Sequence, residues 1–267
     1  MDNRPIGVFD SGLGGLTVVK SLCSFLPNEN IVYFGDTGRV PYGTRSRETI
    51  ETYAKQDAAF LLSKDVKLII AACGTVSSVA PDTGKNLPVP YFGVVEPAAK
   101  AAAKHTKTGR IGVIGTTATI RSGAYEQALL KINKRFLIRS VDCPLFVPIV
   151  EAGWIDDDEV AMLTAKRYLK TIKDFDVDTL ILGCTHYPLL SKTIAQIMGP
   201  QVTLISAGAA AAAHCVEVLK ENALLCAKEN NGTHSFYVTD RPDGFSKTAE
   251  IFLQQDFTGD VTRVQVD

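Results

Sequence analysis

An α/β fold with mainly parallel sheets, built as two similar halves, is the fold class this sequence predicts. Three observations carry that reading. Short apolar runs alternate with helical stretches along the chain. Strands such as "LIIAA" are apolar throughout rather than alternating, as a sheet covered on both faces requires. The whole rhythm restarts near residue 111.

The elements follow in order. "IGVF" (6–9) predicts a strand, followed by a helix through about Leu26. "IVYF" (31–34) predicts a strand, then a loop and a helix ending near Lys64. "VKLIIAA" (66–72) precedes a short helix, and "YFGVV" (91–95) closes this half. "IGVIG" (111–115) leads into a helix over 122–134, and "FLIRSV" (136–141) into a loop and a helix over 157–173. "DTLILG" (178–183) leads into a helix over 189–198, and "VTLI" (202–205) follows. A helix, "SFYVT" (235–239), another helix and "VTRVQV" (261–266) end the chain.

The restart reads as an internal duplication. "IGVFDSGLGGLTVVKSL" lies on "IGVIGTTATIRSGAYEQAL", with Gly7 and Gly112 105 residues apart and Cys73 and Cys184 111 apart. The difference is a six-residue insertion, which a loop absorbs. Two unrelated α/β units could also give so loose a match. If the halves are duplicates, they face each other about a pseudo-twofold axis. Ligands of open α/β sheets bind at the carboxyl ends of strands, which puts Cys73 and Cys184 on opposite walls of one cleft.

Composition narrows the function classes. A chain of 267 residues with 46% hydrophobic and 21% charged residues is an ordinary globular protein of one large or two modest domains. Lys+Arg 28 against Asp+Glu 29 leaves no electrostatic footprint for nucleic acid or an anionic membrane. The basic run "KAAAKHTKTGR" (100–110) reads as a solvated helix end and linker. No apolar run approaches a membrane span and no charged-then-apolar leader precedes the first strand, so the expected location is the cytoplasm. The six cysteines lack C-x-x-C spacing and read as free thiols, with Cys23, Cys143, Cys215 and Cys226 as small core residues. The scattered histidines give no zinc pattern, so no metal is expected.

Cys73 and Cys184 each stand between a buried strand and an expected helix start, where thiol pKa values are lowered. Either one alone reads as structural. Asp10 and Ser11 follow the first strand, Asp36 the second, and Thr116, Thr117 and Thr119 the strand "IGVIG"; His186 lies two residues after Cys184. Glycine-bearing loops at such places bind anions, carboxylates included. Asp10 reads equally as a helix cap and His186 as a turn residue. "DSGLGGLT" (10–17) approaches the dinucleotide pattern G-x-G-x-x-G, and Asp36 lies at the distance of a ribose-binding acid. The third glycine is Thr17, which leaves an NAD-dependent oxidoreductase as a distant alternative.

Four motifs in order, "FDSGLGGLTV", "YFGDTGRVPYG", "IGVIGTTATIRSGAY" and "LILGCTHYPLL", resemble the glutamate racemases of the aspartate/glutamate racemase family. The resemblance runs from about residue 5 to about 210. It implies a cofactor-independent homodimeric enzyme that supplies D-glutamate for peptidoglycan. It also implies two α/β domains, 1–97 plus 208–267 and 98–207, with the active site between them. Residue by residue, Cys73 and Cys184 would be the acid/base thiols, assisted by Asp10 and His186 respectively. Ser11, Tyr42, Gly43, Thr75 and Thr185 match substrate-contacting positions, Thr116, Thr117 and Thr119 those that hold a substrate carboxylate, and Glu151 a polar residue near the cleft. The family usually reads Ala-Cys-Asn-Thr where this chain has "ACGT". Gly74 keeps a backbone N–H for the substrate but lacks the Asn side chain, so aspartate or another small acidic amino acid is an alternative to glutamate.

The mechanism these residues imply is geometric. Inverting Cα requires a proton to leave one face and another to arrive on the opposite face, which two thiols on opposite walls supply as thiolate and thiol. Protonated His186 would favour a Cys184 thiolate. The Asp10 carboxylate cannot do the same for Cys73; it would accept a proton or hold the substrate ammonium.

Overall fold

Strands buried on both faces dictate the architecture. In β1 (Ile6–Asp10), Ile6 and Val8 join one apolar cluster and Phe9 another on the opposite side of the sheet. In β3 (Leu68–Ala71), Leu68 and Ile70 likewise part from Ile69 and Ala71. Helices must therefore cover both faces. The computed structural model describes residues 1–155, 157–227, 231–240, 242, 245–257 and 259–266.

The first half runs β1, α1 (Leu16–Phe25), β2 (Ile31–Gly35), α2 (Arg47–Leu62), β3, α3 (Gly74–Val79), β4 (Tyr91–Gly93) and α4 (Val95–His105). The second runs β5 (Arg110–Gly115), α5 (Thr117–Ser122), α6 (Ala124–Ile132), β6 (Leu137–Asp142), α7 (Phe146–Glu151), α8 (Glu159–Asp174), β7 (Thr179–Leu182), α9 (Ser191–Met198), β8 (Thr203–Ser206) and α10 (Ala207–Glu221). β9 (His234–Val238), α11 (Phe245–Leu253) and β10 (Val261–Arg263) follow.

The repeat read in the sequence recurs in the topology. All pairings are parallel, and the orders β2-β1-β3-β4 and β6-β5-β7-β8 are the same. Even the register agrees: Gly7 faces Ile69 across β1 and β3, and Gly112 faces Leu180 across β5 and β7. The shared register puts Cys73 and Cys184 at equivalent strand ends. β9 pairs with β2 and β10 with β9, so the tail extends the first sheet to six strands.

One apolar core spans both halves. Ala98, Ala99 and Ala102 of α4 and Ala211 and Ala212 of α10 belong to it, and α10 packs on both α1 and α4. These small side chains let the helices approach closely. A buried ion pair ties the tail to the first sheet. Lys67 Nζ donates to Glu29 Oε2 at 2.5 Å, to the Asp2 carbonyl at 2.7 Å and to the Leu224 carbonyl at 2.7 Å. A lysine this deeply buried is stable only with such a full set of acceptors.

Several expected boundaries differ. The helix expected over 122–134 is α6, and a separate short helix, α5, ends just before it because Gly123 adopts φ 66° and forms its left-handed cap. The stretch read as a loop after β6 contains α7, whose six residues include Pro148 and are too short to show a helical period. The strand at 91–95 stops at Gly93 because Val95 opens α4, and only 261–263 of "VTRVQV" form a strand. Among the described residues no helix is long and apolar enough to cross a membrane.

Candidate active site

The seam between the halves is built where β1, β3, β5 and β7 end. Cys73 follows β3 by one alanine and is the N-cap residue of α3; Cys184 follows β7 by one glycine. Both are buried, at 5% and 7% exposure. Their backbones nearly touch: a Cβ placed on Gly74 would press into the carbonyl oxygen of Gly183 and lie 3.7 Å from Cα of Cys184. The residue type at 74 thus controls how closely the two cysteine-bearing segments approach.

Each thiol has its own surroundings. Cys73 Sγ stands 3.5 Å from Ser11 Oγ. Burial, reinforced by the Asp10 charge, pushes its thiol up to about 12, although hydrogen bonds from Ser11 and the Val76 backbone oppose this. The lowering expected from the helix start is therefore overridden by burial. Asp10, at the end of β1, accepts from Gly12 N–H at 3.0 Å. Burial raises its carboxyl as well, against the pull of His186 and the backbone amides of Gly12, Gly15 and Ser11.

Cys184 faces a cation instead. Its Sγ is 3.8 Å from His186 Nδ1, and His186 Nε2 is 3.1 Å from Glu151 Oε1 at the end of α7. Burial would lower the imidazole, but the Cys184 sulfur, the Glu151 carboxylate and the Asp10 charge lift it to about 10. Thr185 Oγ1 lies 3.3 Å from the same Nδ1. No helix follows Cys184 directly; a 3-10 turn at Tyr187–Leu190, with Pro188 near its start, comes first.

Hydroxyls line the seam. Thr75 Oγ1 of the first half meets Thr116 Oγ1 of the second at 3.1 Å, and Thr116 Oγ1 lies 2.9 Å from Thr119 Oγ1. Thr116 also caps α5 by accepting from Thr119 N–H at 3.3 Å. Gly43 closes the group: a Cβ there would lie 3.6 Å from Thr116 Cβ and 3.8 Å from Thr75 Oγ1. Thr117 turns elsewhere and donates to Asp142 Oδ2 at 2.8 Å. The Tyr42 phenol points into a buried acid cluster with Asp36 and Asp57, leaving the backbone of 42–43 nearest the threonines.

Some residues here escaped the sequence reading. Thr17 Oγ1 donates across the seam to the Thr185 carbonyl at 3.1 Å. It occupies the position where the dinucleotide pattern wants glycine, which was the one available signal. The Phe252 ring of α11 packs edge-on against the His186 imidazole, 5.0 Å between centroids. Nothing in the local sequence links residue 252 to 186. Gly14 has room for no side chain, since a Cβ would meet Thr185 and the His186 ring. Asp36 is committed to Arg39, Tyr42 and Thr239, so it is not placed to hold a ribose. Among the described residues no group of three or more His, Cys, Asp or Glu side chains could hold a metal ion.

Comparison with known proteins bears directly on this seam. The family model described as Asp/Glu/Hydantoin racemase matches residues 17–215. The chain belongs to this family. It is an isomerase, and its glutamate racemase relatives match along nearly their whole length. One, from Geobacter metallireducens, is 45% identical over 265 residues, covering 99% of this chain and 97% of the relative. Another, from Syntrophus aciditrophicus, is 46% identical over 264 residues, covering 98% and 97%. The crystal structure of the Francisella tularensis glutamate racemase in complex with D-glutamate superposes with a TM-score of 0.90 at 42% identity, covering 99% of this chain and 98% of that one. The α/β architecture of two like halves is thus that of glutamate racemases.

Proposed function

We propose that this chain interconverts L- and D-glutamate without a cofactor, by proton transfer between Cys73, Cα of the substrate and Cys184. The observation that carries the reading is the placement of two buried thiols at equivalent strand ends of two halves that meet backbone to backbone between them. Substrate would enter when the halves part, since both thiols are buried with the seam closed.

The two walls are chemically unequal before substrate arrives. The imidazolium of His186, held by Glu151, stands beside Cys184 Sγ, while burial beside Asp10 favours a thiol at Cys73. One wall is ready to take a proton and the other to give one. Cys184 thiolate abstracts the Cα proton on its face, and Cys73 delivers its own to the other. The opposite direction starts from the reverse protonation, with Asp10 and His186 serving as local proton acceptor and donor. Ser11, Thr75, Thr116, Thr119 and Thr185, with the backbone at Tyr42, Gly43 and Gly74, supply donors for the two substrate carboxylates. Such fixed donors stabilise the charge that develops on the α-carboxylate as Cα loses its proton.

The same reading assigns residues 1–97 plus 208–267 to one domain and 98–207 to the other, and it gives the enzyme a cytoplasmic, homodimeric existence supplying D-glutamate for peptidoglycan. Incubation with L-glutamate in deuterated water is expected to yield D-glutamate carrying deuterium at Cα. Aspartate run side by side tests whether Gly74 shifts the substrate. Folded protein that neither inverts nor exchanges glutamate would refute the proposal.

A further inference from the structure

A buried acid pair behind the cleft is not used by the mechanism above. Asp36, at the end of β2, and Asp57, in α2, are both fully buried, and both approach the hydroxyl of Tyr42. The loop between them carries Tyr42 and Gly43 to Thr75 and Thr116, so it spans from the first half to the second.

The proton count in this cluster is short by one. Asp36 is filled as an acceptor: it receives Arg39 Nε at 2.5 Å, the Tyr42 hydroxyl, and Thr239 Oγ1 at 2.8 Å on its other oxygen. A phenol has one proton to give. Tyr42 gives it to Asp36, the closer of the two acids, yet Asp57 Oδ2 also stands 3.0 Å from Tyr42 Oη. Two oxygens at that distance without a hydrogen between them would repel. A hydrogen on Asp57 Oδ2 resolves the contact, with Tyr42 Oη as its acceptor. Asp57 Oδ1 still accepts from Arg39 Nη2 at 3.1 Å.

We propose that Asp57 is held as a neutral carboxylic acid whose O–H donates to Tyr42, and that this bond positions the Tyr42–Gly43 turn in the cleft. Charge balance agrees. The groups facing Asp57 are Asp36, Arg39 and Tyr42 from the loop, Asp10 from β1 and Tyr91 from β4. Among the described residues Arg39 is the single cation facing this group, and a second buried carboxylate would stand uncompensated. Burial pushes the Asp57 carboxyl well above the usual carboxylate range and the Asp36 charge pushes it further, against the opposing pull of Arg39. The role in binding rests on the reading of Tyr42 and Gly43 as substrate contacts; the protonation of Asp57 does not.

Two measurements separate these. In the infrared difference spectrum of wild type against Asp57→Asn at neutral pH, the carbonyl stretch of a protonated carboxylic acid is expected to be lost. Loss of carboxylate bands alone overturns the proposal, whatever the enzyme acts on. In glutamate kinetics, Asp57→Asn, the neutral isostere, is expected to keep KM and kcat within about twofold, while Asp57→Ala raises KM about tenfold with kcat less affected. An Asn variant as impaired as the Ala variant, or an Ala variant with unchanged KM, overturns the positioning role. If Asp57→Ala does not fold, the spectrum and the Asn variant still decide. Wild type without glutamate turnover would count against the racemase reading and leave the spectrum as the test of the buried acid.

Discussion

Gly74→Ala probes whether backbone contact sets the spacing of the two thiols. Gly74 opens α3 directly after Cys73, and Gly183 directly precedes Cys184. A Cβ at 74 would press into the Gly183 carbonyl oxygen and lie 3.4 Å from its carbon. The obstruction is backbone, so no side chain can swing away. Gly183 cannot retreat easily either, because its N–H donates to the Ile114 carbonyl at 2.8 Å and its own Cβ position is filled by Ile114 and Tyr125. An ordinary C···O contact is about 3.3 Å, so the seam has to open by about 1 Å. The helix start itself accepts alanine, which is favoured over glycine in a helix by up to about 1 kcal/mol. Opening that packed backbone contact costs about 1–3 kcal/mol, more than the propensity gain, so the melting temperature is expected to fall by a few degrees while the thiols move apart. Misplacement of about 1 Å costs about 100-fold, which is the expected fall in kcat/KM from either enantiomer. Circular dichroism of the racemisation, run from both enantiomers alongside a thermal melt, measures both quantities. A variant that melts normally and keeps kcat/KM within about threefold of wild type refutes the reasoning. The Asn of the family pattern brings the same Cβ, so Gly74→Asn is expected to slow this chain rather than speed it.

Further outcomes follow from the same geometry. Cys73→Ala and Cys184→Ala are each expected to lower racemisation by at least about 10²-fold with the fold intact, as removal of a general acid or base does; circular dichroism and deuterium incorporation read this, and full turnover by either variant rules out the two-thiol scheme. His186 binds its proton more tightly in the folded chain, at about 10, than the 6.5 of an ordinary histidine. Its contribution to stability is thus complete below about pH 6.5 and is lost as pH rises toward 10. Denaturation midpoints across that window are expected to fall in wild type and to flatten in His186→Asn. Lys67→Met leaves Glu29 buried without its cation and is expected to cost about 3–5 kcal/mol in urea unfolding, while KM of the remaining folded enzyme stays unchanged.

How much of this was legible in the sequence depends on the range of the interaction. Strands β1 to β8 were read because each is a short apolar run beside its own turn signals, and those signals are local. The short α5 before Gly123 is not legible, since six residues show no helical period and the left-handed turn that ends them is set by the backbone. The short α7, which carries Glu151 to His186, reads as loop in the sequence, because six residues with a proline show no period. The link from Phe252 to His186 and the Asp36–Tyr42–Asp57 cluster depend on segments brought together only by folding.

The sequence by itself determined the α/β class, the internal repeat and the pairing of Cys73 with Cys184, because repeat and motif spacing are properties of the chain. Tertiary structure decided the chemistry of that pair. Burial beside Asp10 raises one thiol, and His186 with Glu151 provides a cation for the other. No local pattern encodes that asymmetry, since it arises from desolvation and from charges far apart in the chain. The consequence of Gly74 was also decided there. In the sequence it is a missing side chain; in the fold it is what lets the two cysteine-bearing backbones meet.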